Sequence, residues 1–128
     1  MRGGFTTVEL LVTLFIASMM VVSGYQLYSA VSQRSDKVSN AAEASNLAYS
    51  KLRDNSAYQS VATSCTSSHK SGSAETSTAI ADTTLPGSPR FVIYRCRPFS
   101  YNSVTRVTSV VFYDSPEKES VHAIYVAP

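Results

Sequence analysis

Between residues 5 and 58 the chain contains no proline and a single glycine, Gly24. Proline inside a helix removes a donor and clashes with the preceding turn. A long proline-free stretch of mostly helix-compatible residues therefore predicts one helix from Phe5 to about Tyr58. Its first part is apolar, with residues 10–22 interrupted only by Thr13 and Ser18. That run spans about 20 Å as a helix, short of the ~30 Å hydrocarbon core of a bilayer. Residues 5–28 reach about 36 Å, enough to cross it. Thr6, Thr7, Thr13, Ser18, Ser23 and Gln26 within this segment suit a helix-packing surface better than a pure lipid anchor. Glu9 stands at its mouth. A carboxylate costs roughly 2.5–3.5 kcal/mol at mid-bilayer and less near its edge, so Glu9 calls for a partner from outside the chain.

After Tyr28 the pattern becomes amphipathic. Val31, Val38, Ala41, Ala48 and Leu52 recur at helical spacing, while Arg34, Lys37, Glu43, Lys51 and Asp54 lie largely off that stripe. Half of residues 63–88 are Ser or Thr, and this segment reads as a solvated loop. The last third reads as sheet, with strands predicted at 90–97, 104–113 and 120–127 and a weak fourth around 76–80. Asp114-Ser115-Pro116-Glu117 supplies a turn, and short connections favour an antiparallel meander. The expected fold is α+β, a long N-terminal helix, transmembrane then amphipathic, packed against an antiparallel sheet of three or four strands.

Lys and Arg total 11 against 9 Asp and Glu, a net charge of +2, which argues against nucleic-acid binding driven by total charge. Arg2 precedes the apolar run and the next positive charge is Arg34, so the N-terminus should stay cytoplasmic and everything after the span should lie outside. A disulfide persists in such a compartment, and Cys65 and Cys96 most simply form one. It would contribute about 3–4 kcal/mol in the chain-entropy model.

A short basic leader ending in Gly4, then Phe5, then Glu9 four positions on, then an apolar helix, resembles the N-terminal signal of type IV pilins and pseudopilins. The resemblance covers residues 2–31 in detail. It implies a leader of residues 1–4, cut by a membrane prepilin peptidase between Gly4 and Phe5, and N-methylation of Phe5. It also implies that Glu9 meets the Phe5 amine of a neighbouring subunit during filament assembly. Residues 5–28 become the membrane and assembly half of the helix, and 29–128 the extracytoplasmic domain. The implied partners are other pilin-like subunits, the peptidase, an assembly platform and the cytoplasmic membrane, with no cofactor. Two departures favour a minor pilin or a pseudopilin of a secretion or DNA-uptake system over a main fibre subunit. No proline precedes Pro86, and the last 32 residues lie outside the Cys65–Cys96 loop.

Other readings use the same residues. Arg2, the run 10–22 and Val22-Ser23-Gly24 would serve an ordinary secretory signal cut before Tyr25, but Glu9 interrupts that scheme. Cys65, Cys96, His69 and His122 contain the ligand types for zinc, at a spacing that matches no finger pattern. Arg95 and Arg97 share a strand face among Phe91, Tyr94, Phe99 and Tyr101, a combination that serves single-stranded nucleic acid or simply a charged strand edge. No nucleophile elbow, metal-ligand spacing or phosphate loop is present, so the chain reads as the substrate of an enzyme and not as an enzyme.

Overall fold

The computed structural model describes residues 6–98 and 103–128. It comprises one helix, α1 (Thr7–Asp54), and five antiparallel strands. The strands are β1 (Ser73–Ala74), β2 (Thr78–Ala79), β3 (Arg90–Cys96), β4 (Thr105–Tyr113) and β5 (Lys118–Val126). The chain divides into two compact units, residues Met1–Val38 and Ser39–Pro128, and α1 contributes to both.

In the first unit α1 is long and apolar enough to cross a membrane. Every Val, Leu, Ile, Phe and Met from Val8 to Val31 is exposed. Apolar surface of that extent requires lipid or protein around it. The hydroxyls of Thr13 and Ser18 donate to the carbonyls of Leu10 and Phe15 at 2.9 and 2.8 Å, so these two groups are satisfied within their own helix.

In the second unit α1 buries Ala44, Ala48 and Leu52, one row at i, i+4 and i+8. This corrects the expected stripe, since Val31, Val38 and Ala41 are exposed. The small side chains of Ala44 and Ala48 allow the helix to lie close on the sheet. The helix stops at Asp54, four residues short of the expected end. There Asn55 N–H and its side-chain amide both donate to Lys51 O, and Ser56 Oγ donates to Arg53 O, satisfying terminal carbonyls.

The sheet order is β1-β3-β4-β5, with β2 also on β3. The expected sheet of three or four strands therefore has five. The weak strand expected near 76–80 is the two-residue β2, opposite Phe91–Arg90, while the two-residue β1, opposite Arg95–Tyr94, lies before the expected range. Register assigns two faces. Phe91, Ile93 and Arg95 share one face with Val107, Ser109 and Val111, and with Ser120, His122 and Ile124 of β5. On it Leu52 packs with Ile93 and Val107, while Ala44 and Ala48 pack with Leu85, Val111 and Tyr113. The opposite face carries a third cluster, of Val92, Val110 and Phe112.

The Ser/Thr-rich segment is more than a solvated loop, because residues 64–72 are tied to that opposite face. Arg106 donates to Ser68 O at 2.9 Å and to Ser71 Oγ at 3.0 Å, and Ser71 is buried. Lys70 Nζ sits 2.5 Å from Glu119 and 5.0 Å from the centre of the Phe112 ring. The sheet is thus covered on both faces, and eight of the nine β4 residues are buried.

Candidate functional site

Gly4 and Phe5, the residues of the expected cleavage and methylation, lie outside the described residues. The site can be followed from Thr6. Thr6 Oγ1 accepts the Glu9 N–H at 3.3 Å, and Thr6 O accepts the Leu10 N–H at 3.1 Å. Thr6 is therefore the N-cap of α1, and Glu9 is the third residue of its first turn. Thr6-Thr7-Val8-Glu9 has the sequence form of a capping box, a signal that hydrophobic and charge patterning alone overlooks. An acidic side chain here also faces the positive end of the helix dipole. Glu9 is exposed and makes no ion pair among the described residues, so its carboxylate can receive a cation from another chain.

Cys65 and Cys96 form a disulfide with Cα atoms 5.0 Å apart. It ties residues 64–72 to the end of β3 beside paired backbone bonds, Cys65 N–H to Arg97 O at 2.9 Å and Arg97 N–H to Thr63 O at 2.8 Å. His69 Nε2 is 3.0 Å from Glu119 Oε1, and His122 Nε2 is 2.9 Å from Ser45 Oγ. Each member of the Cys2His2 set therefore has a different partner, and no group of three His, Cys, Asp or Glu residues is placed for a metal among the described residues.

Arg95 lies in β3 and Arg97 just beyond its end, and their settings differ. Arg95 is 4% exposed, on the face that α1 covers. Its guanidinium pairs with Glu75 and donates to Asn55 O at 2.9 Å. Burial pulls its pKa down from the ordinary arginine value. A guanidinium committed in this way joins the helix end to β3 and is not free to meet a phosphate. Arg97 is half-buried, with Nη2 3.4 Å from Ala62 O. Phe99 and Tyr101, two of the four aromatic residues of the expected patch, lie outside the described residues.

Two acids emerge that the sequence leaves unmarked. Glu43 Oε1 accepts the Thr83 hydroxyl at 2.6 Å and the Thr84 N–H at 3.0 Å, and Oε2 accepts the Thr84 hydroxyl at 2.5 Å. Thr83 first, then Thr84, hold its carboxyl below the usual carboxylate range. Glu119 is held low in the same sense, chiefly by Lys70 and further by His69. Both fasten the Ser/Thr-rich segment, one to α1 and the other to β5. Partners 40 to 50 positions apart leave no local periodicity to read.

No protein-family model matches the chain, and neither does any curated protein or solved structure. The functional reading therefore rests on the residues themselves.

Proposed function

We propose that the chain is a structural subunit of a type IV pilus-like filament, a minor one. It would be cut between Gly4 and Phe5 by a prepilin peptidase, N-methylated on Phe5 and assembled through α1. One observation carries the reading: Glu9, an exposed acid, occupies the first turn of a helix whose apolar surface is open along its membrane-length part. Apolar surface drives the helix into lipid or among other helices, where an unpaired carboxylate is penalised. An amine four residues upstream on a neighbouring chain relieves that penalty and selects one axial register. A pseudopilin of a secretion or DNA-uptake system would use the same N-terminal chemistry. Its discriminating feature is a short periplasmic assembly in place of a surface fibre.

Intact mass and N-terminal sequencing of the membrane-extracted protein test the processing. The expected terminus is methylated Phe5, whereas a start at Tyr25 would identify an ordinary secretory signal and overturn the proposal. Glu9→Ala is expected to be cleaved normally but to stay in the membrane fraction. Its recovery in sheared filaments at wild-type level would remove Glu9 from assembly.

A further inference from the structure

The two edges of the sheet are treated differently. Beyond β3 the edge is closed by β1 and β2, with Glu75 N–H and Ile80 N–H adding bonds to Ile93 O and Pro89 O at 2.8 and 2.9 Å. Beyond β5 nothing pairs among the described residues: β4 is its only strand partner, and no other backbone bond reaches it. Folded proteins usually blunt such an edge with proline, lysine, a bulge or brevity. β5 carries Lys118 and Glu119 at its start only. Residues 120–126 contain no charge and no proline, and all nine β5 residues pair with β4 in unbroken register.

Beside this open edge, on the helix side, lies a cavity of about 120 Å³ lined by Tyr49, Leu52, Arg53, Ser56 and Ile124. Its upper wall is ordered by His122, which bonds Ser45 and meets the Tyr49 ring edge-on with centroids 6.2 Å apart. The cavity has room for one branched aliphatic side chain. Arg53 at its rim is exposed and makes no ion pair among the described residues. An open strand edge beside a side-chain pocket combines the two elements of strand-addition recognition, main-chain bonds for affinity and a pocket for specificity.

We propose that β5 accepts an extended segment of a different polypeptide as an added strand, with a Val or Ile side chain in the Leu52–Ile124 cavity and a neighbouring acidic residue against Arg53. Side chains two apart share a strand face, so the acid lies two positions from the aliphatic residue. The acidic preference follows from the unmatched guanidinium, and the size limit from the cavity.

The test uses the isotope-labelled full chain in detergent micelles and the peptide acetyl-Thr-Glu-Thr-Val-Thr-Glu-Thr-amide, which offers an acid on either side of Val. Expected are saturable NMR shifts at Tyr49, Arg53 and β5, with slowed hydrogen exchange of alternate β5 amides. Two further peptides are N-methylated on odd or on even residues. One of them should lose binding and the other keep it, because only one row of peptide amides faces β5. Arg53→Glu should weaken the acidic peptide by at least about fivefold, the full worth of a strong exposed ion pair, and favour the version with Lys in place of Glu. Three results would overturn the proposal. They are no shifts at β5 up to about 1 mM peptide, the weakest range of a specific contact, equal binding of both methylated peptides, and β5 protection in the peptide-free protein that grows with protein concentration. The last would assign the edge to a second copy of this chain.

Discussion

Arg95 shows how far the setting of a residue departs from its type. In sequence it is one of four arginines in a stretch without acids, and charge alone suggests a surface that attracts anions. In the fold its head group reaches Glu75 and the Asn55 carbonyl, while its Nε has no partner among the described residues. A hydrogen bond to a charged group contributes about 1.5–3 kcal/mol. Arg95→Ala is accordingly expected to destabilise the domain by about 2–3 kcal/mol in urea unfolding. Arg97→Ala, at a half-buried guanidinium, should change stability by less than half as much. Equal effects of the two substitutions would contradict the structural role assigned to Arg95.

At the scale of elements, α1 carries two different surfaces on one helix. Residues 7–31 present apolar side chains all round, and the later turns bury a single row. The row can be tested directly. Leu52 is 2% exposed and packs with Ile93 and Val107, so Leu52→Ala should cost about 2–5 kcal/mol. Val38 is 69% exposed, and Val38→Ala should change domain stability by less than about 0.5 kcal/mol. Equilibrium unfolding in detergent, followed by the tyrosine signal, separates the two. A large loss at Val38 would restore the stripe expected from sequence. The β4–β5 hairpin was readable because its signals are local. Asp114 adopts a positive φ of 73°, accepts the Ser115 N–H at 2.7 Å and pairs with Lys118 at 2.5 Å, all within one turn.

For the whole second unit, Ser39–Pro128, the carboxylates that fasten its segments set a pH window. The folded pKa values of Glu43 and Glu119 are lowered, Glu43 by the Thr83 and Thr84 hydrogen bonds and Glu119 chiefly by Lys70. A lowered value in the folded state means that the contribution is complete above the unfolded glutamate value of about 4.3 and is lost as pH falls through the folded value. Lys70 and Lys118 are raised, by Glu119 and Asp114 respectively. Their contribution is complete below the unfolded lysine value of about 10.4 and is lost as pH rises through the folded value. Stability from these groups should therefore hold between about pH 5 and 10 and decline on either side. Glu119→Gln should lower the urea midpoint at pH 7 and flatten its fall below about pH 4. An unchanged slope below pH 4 would remove Glu119 from the acid response.

The sequence by itself determined the helix, its membrane-length apolar part, the three long strands, the hairpin turn and the α+β class. Each is encoded in neighbours a few positions apart, through absent proline, apolar runs, β-branched residues and turn chemistry. The near-complete burial of β4 was also latent there, since its near-continuous apolar and β-branched run fits a strand covered on both sides better than one facing water. Only the tertiary structure decided what covers that second face. It made a polar segment into a strap held by Arg106, Glu119 and the Cys65–Cys96 bridge, and it took Arg95 inside while leaving the β5 edge open. Those outcomes depend on contacts between residues tens of positions apart, whose energies exist only once the chain has brought them together.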